Sequence, residues 1–315
     1  MTAISIPETV DIVEVFPRDG LQRFPEFVPT EVKVDIIDRL SETGVAEIEV
    51  TSFTHPEAVP NLRDAATVCA GIDRHPGVTY SALVPNAIGM ERAIDAGVDK
   101  VGALIAVSET YNRKNQNMTV EESLDEIEAI VSLSAETDID VEAGIAQSFF
   151  CPYEGDIAPA DTLAVVDAVL AAGGDEGSRA TSLGMADPRA VAAVLEPLVD
   201  RYPDLEIGMH LHDTNGMSLA NALVAMEYGV RQFDTALCGL GGGVVLPDEL
   251  RSVGNTPTED LANMLREMEI DTGVDFDRLV GTARAVSEEL ELEPSSHVLR
   301  GGTKSAVLEA TAGQN

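Results

Sequence analysis

Residues 10–20 read VDIVEVFPRDG. The apolar, β-branched run Val10–Phe16 has strand character, and the turn after it decides between two architectures. A doubly wound open sheet would more often carry a glycine-rich phosphate turn after its first strand. Here the turn is Pro17-Arg18-Asp19-Gly20. Charged residues at the C-terminal end of a first strand are what a (β/α)8 barrel uses for its chemistry.

Outward from this strand the same alternation recurs. Strands are expected at Val10–Phe16, Ala46–Phe53, Thr79–Val84, Val101–Val107, Val141–Gln147, more weakly Ser178–Leu183, then Leu205–His212 and Gln232–Leu240. Amphipathic helices are expected near 30–43, 61–74, 86–96, 119–136, 159–172, 187–201, 216–228 and 258–268. Thr119, three residues before Glu122, and Thr258, close before Asp260, mark helix starts. Near-continuous apolar strands suit a parallel sheet covered on both faces. The pattern predicts an α/β fold, a (β/α)8 TIM barrel with extra C-terminal helices. No linker or internal repeat divides it, so residues 1–315 read as one catalytic domain with 275–315 as a helical extension.

Composition narrows the function. Lys plus Arg number 20 against 55 Asp plus Glu, a formal net charge of −35, and 44% of residues are hydrophobic. The core material is ample, but that much like charge repels itself at low ionic strength. Near 1 M salt the screening length falls to about 3 Å, so the surface reads as adapted to a salty, halophile-like cytoplasm. With no basic stripe, nucleic acid and anionic membranes are poor partners. No apolar stretch approaches the roughly 20 residues of a membrane span, and the first residues lack a secretory pattern, so a soluble cytoplasmic protein is expected. Cys69, Cys151 and Cys238 are odd in number and unrelated in context, which fits reduced thiols.

Polar residues that interrupt strand ends come next. His210 and His212, two apart on a strand, face the same side. With Asp19 and Asn255 at other strand ends they make a mixed nitrogen and oxygen set for a divalent ion with open positions. Arg18 can steady a developing enolate oxygen. Glu49 lies between Ile48 and Val50, and a carboxylate buried there needs a partner, for which Arg18 is the candidate. His55, His75 and His297 fall in expected loops or helices and carry no assigned role.

At this point the chain resembles the 3-hydroxy-3-methylglutaryl-CoA lyases, within the metal-dependent barrel lyases and Claisen-type synthases. The similar blocks are VEVFPRDGLQ, EIEVTSFTHPEAVPNL, ALVPNAIGMERAIDAGV, SETYNRKNQNMTVEES, CPYEGDIAP, HLHDTNGMSLANAL and GNTPTEDLANML, in order along most of the chain. The resemblance implies that Asp19, His210, His212 and Asn255 bind Mg2+ or Mn2+ and that Arg18 holds the enolate. It further implies that Glu49 holds Arg18 or relays a proton and that Gln22 shapes the pocket. The implied reaction splits 3-hydroxy-3-methylglutaryl-CoA into acetyl-CoA and acetoacetate, a step of leucine breakdown or another acyl-CoA route. A homodimer acting on a small acyl-CoA or hydroxy/oxo-acid substrate is expected.

Two positions depart from the family. Its loop Gly-Leu-Gly-Gly-Cys ends here in Gly243, and Cys238 is a weak substitute because a cysteine on an apolar strand is usually core. Its motif Ile-Ser-Leu-Gly-Asp-Thr-Thr-Gly puts an aspartate near strand six, where this chain is read as offering Thr181. These departures leave open another divalent-metal aldolase or Claisen-type enzyme, and a catalytically weakened metal- and ligand-binding homologue.

Overall fold

The computed structural model describes residues 6–174, 179–181, 183–242 and 254–312. Its strands are β1 (Asp11–Glu14), β2 (Glu47–Ser52), β3 (Thr79–Val84), β4 (Lys100–Ala106), β5 (Asp140–Ala146), a short hairpin of β6 (Phe150–Cys151) and β7 (Gly155–Asp156), then β8 (Arg179–Thr181), β9 (Gly208–His210) and β10 (Gln232–Thr235). All but the hairpin form a closed parallel barrel in the order β1-β10-β9-β8-β5-β4-β3-β2. Closure is made at β1, whose Ile12 lies opposite Phe233 and whose Val13 lies opposite Glu47. Closure leaves the described barrel strands without a free edge. The barrel expected from the alternation is the one observed.

The outer layer comprises α1 (Thr30–Ser41), α2 (Ala65–Gly71), α3 (Ala87–Ala96), α4 (Glu109–Gln116), α5 (Val120–Ser134), α6 (Pro159–Ala171), α7 (Pro188–Arg201), α8 (Ser218–Glu227) and α9 (Thr258–Glu267), followed by α10 (Phe276–Glu289), α11 (His297–Gly301) and α12 (Lys304–Ala312). Thr119 caps α5 as expected: its hydroxyl accepts from Glu122 N at 2.9 Å while Glu122 Oε2 accepts from Thr119 N at 2.7 Å. At α9 the outcome differs. Asp260 lies in the first turn but turns its carboxylate to Ser296 Oγ, His297 N and Val298 N, each at 2.8 Å, so it anchors α11 instead. α10 buries Leu279, Ala283 and Val286 and packs on α1 and α9. Among the described residues no helix is long and apolar enough to cross a membrane.

Alternation along the strands sorts the side chains into two faces. Ile48, Val50, Tyr80, Ala82, Ile105 and Met209 are buried in the apolar layer shared with the helices. Glu47 and Glu49 share the other face of β2. At the barrel floor Lys100 Nζ lies 3.0 Å from Glu47 Oε2 and 2.5 Å from Glu142 Oε2, and Ser81 Oγ donates to Glu47 Oε1 at 2.6 Å. Charges this deeply buried are tolerable only in such pairing. Above them the wall is thinned by Gly102 and Gly144, and this opens a cavity of about 510 Å3 toward the C-terminal ends of the strands.

Candidate active site

Arg18 and Asp19 are expected at the end of the first strand. The strand stops at Glu14, and the pair sits on a tight π-helical turn, Phe16–Gly20, in which the amides of Arg18, Asp19 and Gly20 all point at the Val15 carbonyl. Such turns are rare and gather at functional sites. The turn holds both side chains over the barrel mouth. Arg18 Nε donates to Glu49 Oε2 at 2.6 Å and Nη1 to Asp19 Oδ1 at 2.9 Å. The partner expected for the buried Glu49 is therefore the one present.

Asp19 is only 3% exposed and gathers neighbours: Gln22 Nε2 donates to its Oδ1, and Asn255 Nδ2 to its Oδ2 at 2.5 Å. Burial alone would raise its pKa. The Arg18 charge, then the two imidazoles and the Asn255 bond, overcome that and hold it near 2. His210 Nε2 and His212 Nε2 face each other at 2.9 Å, and His210 Nδ1 bonds Asp234 Oδ2 at 2.9 Å. Burial and the neighbouring His210 push His212 down to about 3, so it is a neutral imidazole at ordinary pH.

Ligand atoms of Asp19, His210 and His212 lie within 4.8 Å of one another. Nearby, Asn255 Oδ1 is buried with no hydrogen-bond partner. Two imidazoles, an ionised carboxylate and an orphaned amide oxygen form the donor set of a divalent cation site, so the residues fit the ion. Asp234 supplies the bond that fixes the His210 ring and tautomer. Backbone geometry guards the same spot. Gly241 has a φ of 122°, and a Cβ there would strike Asn255 Nδ2 and sit 2.6 Å from Asp19 Oδ2.

The model of the HMGL-like family matches residues 9–286, most of the chain and all of the barrel strands. The chain belongs to the HMGL-like family. It is similar to hydroxymethylglutaryl-CoA lyase YngG of Bacillus subtilis, 40% identical over 284 residues that cover 90% of this chain and 94% of that protein. The mitochondrial hydroxymethylglutaryl-CoA lyase of Macaca fascicularis is 38% identical, covering 95% and 91%. Among solved structures, the HMG-CoA lyase of Acinetobacter baumannii, in complex with coenzyme A and 3-methylmalate, superposes with a TM-score of 0.89 at 36% identity, over 96% of this chain and 98% of that one.

Against the HMGL-like pattern the departures can now be placed. Gly243 lies outside the described residues, and of Thr181 only the backbone is described, opposite His210 in the β8–β9 ladder. Thr181 is also the wrong position to compare. Ser182-Leu183-Gly184 matches the family's Ser-Leu-Gly, so the aspartate's place falls at Met185, whose Sδ lies 3.2 Å from Asn215 Nδ2. Asp187, two residues on, caps α7 by accepting from Arg189 N at 2.8 Å and Ala190 N at 2.9 Å. Cys238 is buried with Sγ 3.6 Å from Ala283 O, and burial pushes its thiol far up, so it packs as core beside α10. His297 bonds Asp260, and His75 lies away from the cavity, whereas the exposed His55 lines its mouth.

Sequence reasoning passed over Asp234, Glu14 and Tyr111. Glu14 Oε1 accepts from Phe16 N at 2.9 Å and Leu237 N at 3.0 Å, and Oε2 accepts from Thr258 Oγ1 at 2.7 Å. One carboxyl thus ties together the segments that lead to Asp19, to Gly241 and from Asn255. Burial, only partly offset by these bonds, raises Glu14 from 4.5 to about 8. A group raised in this way contributes stability that is complete below its unfolded pKa and is lost as pH climbs through its folded one. Between pH about 5 and about 9 the wild type should therefore lose stability more steeply than Glu14→Gln, by a few kcal/mol at most. Denaturant unfolding at the two pH values tests this, and parallel losses would refute it.

Proposed function

We propose that this lyase cleaves 3-hydroxy-3-methylglutaryl-CoA to acetyl-CoA and acetoacetate, with Asp19, His210, His212 and Asn255 holding Mg2+ or Mn2+. The observation that carries the reading is the convergence of Asp19, His210 and His212 beside a buried Arg18 at the mouth of one cavity. The ion, when bound, would act as a Lewis acid toward substrate oxygens and ease ionisation of the C3 hydroxyl.

The remaining work falls to the protein. Arg18 is clamped by Glu49 and Asp19, so its guanidinium meets the forming thioester enolate without reorganising. Glu49, on the same wall, holds that clamp and is the acceptor we assign to the hydroxyl proton. Gln22 steadies Asp19. Asp234 keeps a hydrogen on His210 Nδ1 and so turns the Nε2 lone pair toward the site.

A second reading, a metal aldolase or Claisen-type enzyme acting on another hydroxy or oxo acid, is favoured by uncharged Met185 where the family's motif has aspartate. Substrate profiling separates the two. We expect turnover of the CoA thioester and none of free 3-hydroxy-3-methylglutarate, whereas preference for an acid without CoA would favour the second reading. The acidic surface and the reading of a cytoplasmic homodimer belong to the same proposal. The unfolding midpoint should rise between about 0.1 M and about 2 M KCl as charge repulsion is screened, and a flat response would contradict the salt reading. Sedimentation at about twice 33.4 kDa is expected for the dimer, and sedimentation at the monomer mass would contradict it.

A further inference from the structure

Cleavage leaves an enolate whose carbon must receive one proton, so the site needs an acid close to that carbon. The proton-bearing groups around the cavity differ in placement. Lys114 and His55 are exposed at its mouth, while Arg18 and the two histidines are already committed to the bonds described above. Tyr111 is different: it lines the same cavity yet is only 5% exposed.

Its position is fixed from several sides. Tyr111 lies in the first turn of α4, where its backbone N–H donates to the capping Ser108 Oγ at 3.0 Å. Its ring lies 6.5 Å from that of Tyr153, centroid to centroid. Gln147 lines the same cavity beside it. Gln147 itself has a φ of 59°, a left-handed conformation that a residue with a side chain adopts at a cost of about 1 kcal/mol or more. That strained residue directly follows β5 and helps wall the cavity around the phenol. A phenol holds its proton at neutral pH, and Tyr111 lines the same cavity as Arg18, Asp19, His210 and His212, which places it at the reacting centre.

We propose that the Tyr111 hydroxyl delivers the proton to the enolate carbon, an inference that rests on the lyase reading above. In this step the C2–C3 bond breaks and its electron pair moves into the thioester enolate, while the C3 hydroxyl gives its proton to the base and becomes the ketone. The enolate then takes the Tyr111 proton: a C–H bond forms, the O–H bond breaks, and a phenolate remains. Water entering as products leave reprotonates the phenolate, and the proton held by the base returns to solvent, so the balance closes without a co-reactant.

Tyr111→Phe removes the hydroxyl and keeps the ring. Two measurements are made on wild type and variant with Mn2+: turnover of 3-hydroxy-3-methylglutaryl-CoA, and exchange of the acetyl-CoA methyl protons with D2O. The variant should lose turnover by about 10²–10³-fold and lose exchange in parallel, with KM, bound Mn2+ and the unfolding midpoint kept. Exchange or turnover equal to wild type would overturn the proposal, as would loss of Mn2+ binding, which would show a structural role. A wild type that neither cleaves nor exchanges would sink the lyase reading itself, a failure seen without the variant.

Discussion

Arg18→Gln is expected to lower kcat by about 10³-fold or more while leaving bound metal in place. Glutamine keeps a polar donor on a shorter stem and brings no charge to the enolate oxygen. The guanidinium also sits between Glu49 at 2.6 Å and Asp19 at 2.9 Å, so its loss leaves two buried carboxylates facing each other. Removing one partner of a buried ion pair costs roughly 3–5 kcal/mol, so the unfolding midpoint should fall as well. The two effects are separable. Steady-state kinetics on the folded fraction, at a temperature well below the variant's midpoint, reads the catalytic loss alone. A variant with near-normal kcat would show that Arg18 serves packing and not the enolate.

His210→Ala should abolish both metal retention and turnover. Its imidazole is one of three side chains whose ligand atoms lie within 4.8 Å, and alanine leaves Asp19, His212 and the Asn255 amide oxygen with too few donors to hold the ion. Asp234→Asn probes the same histidine from behind. It weakens the bond to Nδ1 without removing a ligand, so a milder loss of about 10–100-fold in metal affinity is expected. Elemental analysis after gel filtration reads both. Unchanged metal in His210→Ala would refute the assigned ligand set.

The barrel was legible because its physics is repetitive: each covered parallel strand is an apolar run and each helix carries an apolar stripe. Helix α4 escaped because ETYNRKNQ is polar nearly all round, and its support comes from the Ser108 cap and the buried Asn112, which donates to Met118 O at 3.0 Å and Thr119 O at 2.9 Å. The hairpin β6–β7 is too short to leave a period. Strand ends were overdrawn for a related reason. Thr235 to Leu240 reads as apolar strand, yet the chain leaves the barrel after Thr235 because Leu237 N and Cys238 N turn to the Glu14 and Glu259 carboxyls.

Within the site, Glu49 was found by asking what a carboxylate does between two apolar neighbours. The same question put to Glu14, between Val13 and Val15, and to Asp234, in a buried strand, would have found both. Tyr111 carried no such signal, since a tyrosine on a polar helix reads as surface until the fold turns it inward. The pairing of Asp19 with Asn255 joins residues 236 positions apart, and only barrel closure brings them together.

The most direct test of the central claim is product analysis with the wild-type protein in high salt, given 3-hydroxy-3-methylglutaryl-CoA and Mg2+ or Mn2+. The predicted result is equimolar acetyl-CoA and acetoacetate, stopped by a chelator and restored by either ion. Intact substrate, with the protein folded and metal bound, would contradict the assignment.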